Sequence, residues 1–129
     1  MLKGFTNETA PLNDYEQQIL LPVLVRCLGN KVGRINSVTN TYICTAMRKA
    51  GYKLSDARLR KVINYIRNHG LVKGLIATCD GYYVAETAQE LRDYAESLHS
   101  RAEAIESVRR AILRQAQEMF QPIQQNLFA

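Results

Sequence analysis

Apolar residues recur at helical spacing in four stretches of this chain and alternate in a fifth, and Gly, Pro and Asn mark the breaks between them. Tyr15, Ile19, Leu20, Val23, Leu24 and Cys27 share one face of a helix predicted from Asn13 to about Leu28. Asn13 is its N-cap, Glu16 completes a capping-box pattern, and Pro22 predicts a mild bend. Gly29 to Gly33 ends it, and Ile35 to Val38 is expected as a short strand or extended link. Tyr42, Ile43, Ala46 and Met47 predict a second helix over Asn40 to Ala50, closed by Gly51. A third begins after Ser55, an N-cap, with Leu54 placed to staple onto Leu59 and Gly70 as the stop.

Next comes an alternating stretch, Leu75 to Cys79 and Tyr82 to Ala85, around Asp80-Gly81, a pair suited to a two-residue type I′ turn. From Thr87 to about Phe120 the pattern is helical throughout. Leu91, Leu98, Ile105, Ile112 and Met119 repeat every seven residues, and Ala95, Ala102 and Ala116 stand four places after three of them. More than thirty helical residues span roughly 45 Å, more than one small domain covers. A partner helix is therefore expected along this seam, from a second copy of the chain or from the first helix of the same chain. Arg109 interrupts the row of small residues.

The third helix carries the most informative polar pattern. Leu59, Val62, Ile63 and Ile66 fall on one face, while Ala57, Lys61, Asn64 and Asn68 point the other way, flanked by Arg58, Arg60 and Arg67. Cations suit phosphates, and amides can pair with base edges. Charge along the chain agrees with this reading. The net charge is +5, but Arg26 to Lys73 holds eleven Lys or Arg against one acid, Asp56, whereas acids outnumber bases on either side. A polyanion is expected to meet the middle of the chain.

The order helix, helix, short Gly-containing turn, helix, hairpin over Asn13 to Ala85 resembles the winged helix-turn-helix superfamily. That resemblance implies a mainly α fold with a small β-hairpin (α+β), followed here by a long C-terminal helix. It also implies that helix 55–69 enters the major groove of duplex DNA and that the hairpin is the wing. The candidate contacts are Arg58, Arg60, Lys61, Asn64, Arg67 and Asn68. This hairpin tip shows Asp80 where a wing that grips phosphates displays Arg or Lys. The expected organisation is an arm (1–12), a winged domain (13–86), a packing helix (87–120) and a tail (121–129). Leu91, Leu98, Ile105 and Ile112 are the seam of an expected homodimer. Size and pattern resemble proteins of phages and mobile elements, which implies a role in transcription regulation or replication.

The tail, Gln124-Gln125-Asn126-Leu127-Phe128, resembles the peptide by which bacterial replication and repair proteins dock on the DNA sliding clamp. Gln124, Leu127 and Phe128 would carry that contact. An alternative function follows from the same features: an adaptor or inhibitor that binds a host protein through the long helix or tail.

No metal-ligand spacing joins His69 or His99 to Cys, Asp or Glu, and the motifs of nucleotide binding and serine catalysis are absent from the sequence. The expectation is a binding protein with no enzyme activity and no cofactor. Cys27, Cys44 and Cys79 form no C-x-x-C pair and are expected as small buried hydrophobes. The first residues lack an apolar h-region, and no apolar run approaches the roughly 20 residues of a membrane span, so the expected compartment is the cytoplasm.

Overall fold

A computed structural model describes residues 10–121. It is mainly helical with one two-stranded antiparallel hairpin, and the chain divides into two compact units at Leu91 and Arg92. The boundary falls inside the last helix, a few residues beyond the one expected at 86/87. Among the described residues no helix is long and apolar enough to cross a membrane.

The first helix, α1, is a π-helical turn over Glu16–Leu20 that runs on into α-helix over Leu21–Leu28. Pro22 explains the wide turn. It has no N–H for the carbonyl four residues back and its ring crowds that carbonyl, so the backbone loosens just ahead of it. The start is a reciprocal capping box: Glu16 N–H donates to Asn13 Oδ1 (2.8 Å) and Asn13 N–H to Glu16 Oε1 (3.0 Å). The buried row is Glu16, Leu20, Leu24 and Leu28. This corrects the expected face, since Tyr15, Ile19 and Cys27 are exposed.

Helix α2, Asn40–Lys49, is capped by Thr39, whose hydroxyl accepts from Tyr42 N–H at 3.1 Å. It buries Ile43, Cys44 and Met47. Gly51 at φ 95° starts the turn to α3, Asp56–His69, whose cap Ser55 accepts from Arg58 N–H. Leu59, Val62, Ile63 and Ile66 of α3 are at most 1 % exposed, and with the buried rows of α1 and α2 they make the core. Gly70 ends α3 in the left-handed region, φ 63°, where the lack of a Cβ removes the steric penalty.

Strands β1 (Leu75–Thr78) and β2 (Gly81–Val84) pair with Leu75 opposite Val84 and Thr78 opposite Gly81. The loop is therefore Cys79-Asp80, one residue earlier than expected. It is not type I′, because no residue other than glycine among those described has a positive φ. Thr78 Oγ1 instead accepts from Asp80 N–H at 3.1 Å. Gly81 is used for close approach: a Cβ there would lie 2.3 Å from the Val38 carbonyl oxygen. Val38 and Tyr82 exchange backbone hydrogen bonds, and Val84 bonds with Lys31 and Gly33, so residues 31–38 line the free edge of β2. The expected strand at 35–38 shrinks to the single bridge at Val38, since Arg34–Asn36 is a 3-10 turn and Ile35 is exposed.

The last helix, α4, runs unbroken over Ala88–Met119 and buries none of its residues. Leu91 at its start lies near Gly74 within the first unit. Of the cysteines only Cys44 is buried, so the expectation for Cys27 and Cys79 is corrected. Both stand on helix or loop surface that the core does not cover.

Candidate nucleic-acid interface

At 100° per residue, Lys61, Asn64 and Asn68 fall on the face of α3 opposite its buried strip, and Arg60 and Arg67 flank them on the side of the hairpin. Arg60, Asn64 and Asn68 are exposed, and Lys61 and Arg67 are half-buried. On one side an open groove of about 500 Å³ lies between α3 and the hairpin, lined by Arg60, Lys61, Asn64 and Arg67 together with Ala77 and Tyr82. On the other, a groove of about 250 Å³ brings Lys61, Asn64 and Asn68 beside Leu12 and Gln17. The polar face of α3 is thus a ridge between two open furrows. Among the described residues no carboxylate lines either of them.

Arg58 does not belong to this ridge. It points about 120° away around the helix, toward α1, where its Nε donates to Glu16 Oε2 at 2.8 Å and its Nη2 to Glu16 Oε1 at 2.5 Å. Its Nη1 and Nη2 also donate to the carbonyls of Ala10 and Pro11. With Glu16 only 3 % exposed, the guanidinium is a clamp between α3, α1 and the segment before α1. Its hydrogen bonds hold the Glu16 carboxyl below the ordinary carboxylate range, against the opposing effect of burial. The expected phosphate contact at Arg58 is therefore reassigned to fold stability. Two features of the sequence mark this pairing: Arg58 precedes Val62 by one helical turn, on the edge of the core strip, and Glu16 is a lone acid in a row of leucines four apart.

The chain matches no known protein family, curated protein or solved structure. The arrangement of α3 and the hairpin must be read from its own geometry.

Cross-strand register separates the two tyrosines. Tyr83, opposite Ile76, is buried, and Tyr82, opposite Ala77, faces the groove, where its hydroxyl donates to Asn40 Oδ1 at 3.0 Å. That bond fixes the ring beside Lys61 and Asn64 and ties the start of α2 to the hairpin. At the tip, Asp80 accepts from Arg34 at 2.8 Å, with both side chains more than half exposed. Arg34 is thus a cation at the tip, placed there by the link along β2. His69 closes α3: its Nδ1 is 2.9 Å from the Tyr65 carbonyl and its ring stacks on Tyr65. Gln124, Leu127 and Phe128 lie outside the described residues. Among the described residues no group of His, Cys, Asp and Glu could hold a metal ion.

Proposed function

We propose that the protein binds duplex DNA by seating the α3 ridge in the major groove, the arrangement of a winged helix-turn-helix. The groove of B-DNA admits one helix, and the ridge has the two kinds of group such a contact requires. Arg60, Lys61 and Arg67 meet phosphates, while Asn64 and Asn68 reach base edges. Tyr82 and the hairpin flank the duplex on one side. The site is cytoplasmic in this reading, and its role is regulation of transcription or assistance to replication.

The observation that carries the proposal is the convergence of three cations and two amides on the outward side of α3, between furrows that no carboxylate among the described residues lines. A solvated surface helix is ordinarily mixed in sign along its face. Arg60 and Lys61 are also without an ion-pair partner among the described residues.

A salt titration of binding to random duplex DNA tests it. The wild-type protein is expected to lose affinity steeply with salt, and Arg60→Ala with Lys61→Ala should flatten the slope by about one per lost phosphate contact. Asn64→Ala and Asn68→Ala should leave the slope unchanged and alter the ranking of different duplexes. Salt-independent or absent binding by the folded protein would refute the reading.

A further inference from the structure

The exposed seam of α4 is the largest feature the DNA-binding reading does not use. Leu98 is 38 %, Ile112 55 %, Ile105 70 % and Met119 72 % exposed, all on one stripe of a helix about 48 Å long. In heptad terms the large residues occupy every d position, and the a positions hold Ala88, Ala95, Ala102, Arg109 and Ala116.

We propose that this stripe pairs with the α4 of a second copy in antiparallel orientation, centred between Glu103 and Ala104. Two observations decide the direction. The first is layer volume. A parallel pair matches like with like, so layers of facing alanines alternate with layers of facing Leu or Ile, and no single separation between the helices fills both. An antiparallel pair matches a with d. Ala95 then faces Ile112 of the second copy and Ala102 faces its Ile105, and every layer except the one containing Arg109 holds one small and one large side chain.

The second observation is charge. A parallel pair sets Arg109 against Arg109 in the middle of the seam, where two like charges would share a dehydrated layer. The antiparallel pair sets each Arg109 beside Leu98 of the other copy. There its stem packs while its guanidinium stays on Glu106 of its own helix, the bidentate contact already formed at 2.6 and 2.8 Å. The parallel alternative would bring Arg101 to Glu106, but Arg109 already occupies that carboxylate. Along the antiparallel flanks no like-charged pair arises. The register also uses the helix fully, since its centre is the midpoint of Ala88–Met119.

Disulfide trapping in the full chain reads both orientation and register. Exposed Cys27 and Cys79 are first changed to Ser, leaving buried Cys44, and Ala95→Cys and Ile112→Cys are made separately. Under mild oxidation a mixture of the two variants should give a covalent dimer, while each variant alone should not. Two copies of residue 95 are seventeen residues of rise, about 25 Å, apart in the antiparallel pair. Sedimentation of the unmodified protein should give twice 14.7 kDa, and Leu98→Asp should return it to the single mass with the first unit still folded. Rapid cross-linking of either variant with itself would overturn the orientation. A mixture that fails to cross-link would overturn the register, and a monomer at 100 µM, roughly the upper range of such an assay, would overturn the pairing itself.

Discussion

The Arg58–Glu16 clamp makes a quantitative prediction that separates stability from DNA contact. Arg58→Met removes all of its charged hydrogen bonds and leaves a carboxylate that is 3 % exposed with only its bond from Asn13 N–H among those described. Breaking a buried pair from one side costs about 3–5 kcal/mol. Glu16→Leu leaves the less costly orphan, because Arg58 is 18 % exposed and keeps the carbonyls of Ala10 and Pro11; about 2–3 kcal/mol is expected. The double variant removes both charges and extends the leucine row of α1, so its main loss is the returning half of the capping box, about 1 kcal/mol. Urea melts at pH 7 should therefore show a double variant more stable than either single one, with a coupling above about 2 kcal/mol. Since a domain holds only about 5–15 kcal/mol in all, the double variant also keeps the test readable if Arg58→Met alone unfolds. The folded double variant should bind DNA with an unchanged salt slope. Additive losses would refute the clamp, and a slope reduced by about one would return Arg58 to the DNA interface.

Three further outcomes follow from the same packing. Because the folded-state pKa of Glu16 lies below its ordinary 4.5, the clamp's contribution is complete above that value and is lost as pH falls through the depressed one. Urea melts at neutral pH and at steps of pH below the ordinary carboxylate range should show a larger acid loss for wild type than for the double variant. Gly81→Ala forces a Cβ against the Val38 carbonyl at φ 119° and should cost roughly 2–4 kcal/mol in a thermal melt, whereas an unchanged melting point would mean that the hairpin edge is not closed by residues 31–38. Thiol titration of the folded protein should find the exposed Cys27 and Cys79 reactive at once. Cys44, pushed up to about 11 by burial and then by the hydrogen bond to Asp56, should react only in denaturant. A single phase for all three would contradict the packing of α2.

Local chemistry made the helix boundaries of the first unit legible: Asn13, Thr39 and Ser55 cap as their side chains predict, and the apolar strip of α3 is buried residue for residue. The errors arise where a residue has a distant partner. Asp80-Gly81 looks like a turn pair because nothing local reveals that Gly81 is needed against Val38, forty-three positions earlier, and so the loop forms one residue sooner. The face of α1 departs from the expected one because a 3.6-residue wheel has no place for the wide turn that Pro22 causes. Arg58 looked like a phosphate ligand because its carboxylate lies forty-two positions away.

The same effect revises the charge argument. Counted along the sequence, Arg26 to Lys73 is eleven cations against one acid, but folding brings acids back to it from outside that segment. Glu16 takes Arg58 and Asp80 takes Arg34, while Asp56 inside the segment sits 3.6 Å from Arg48. The two surface pairs leave their cations solvated, so a phosphate could still compete for Arg34 or Arg48; the clamp removes Arg58 outright. A polyanion therefore does not meet an evenly basic segment. On the proposed reading it meets the α3 ridge, and if Arg60, Lys61 and Arg67 each neutralise one phosphate the salt slope per chain is about −3, far shallower than the count of cations along the sequence suggests. A slope of about −5 would require that Arg34, Arg48 and Arg58 leave their carboxylates on binding, or that a second copy contributes a ridge of its own to the same duplex.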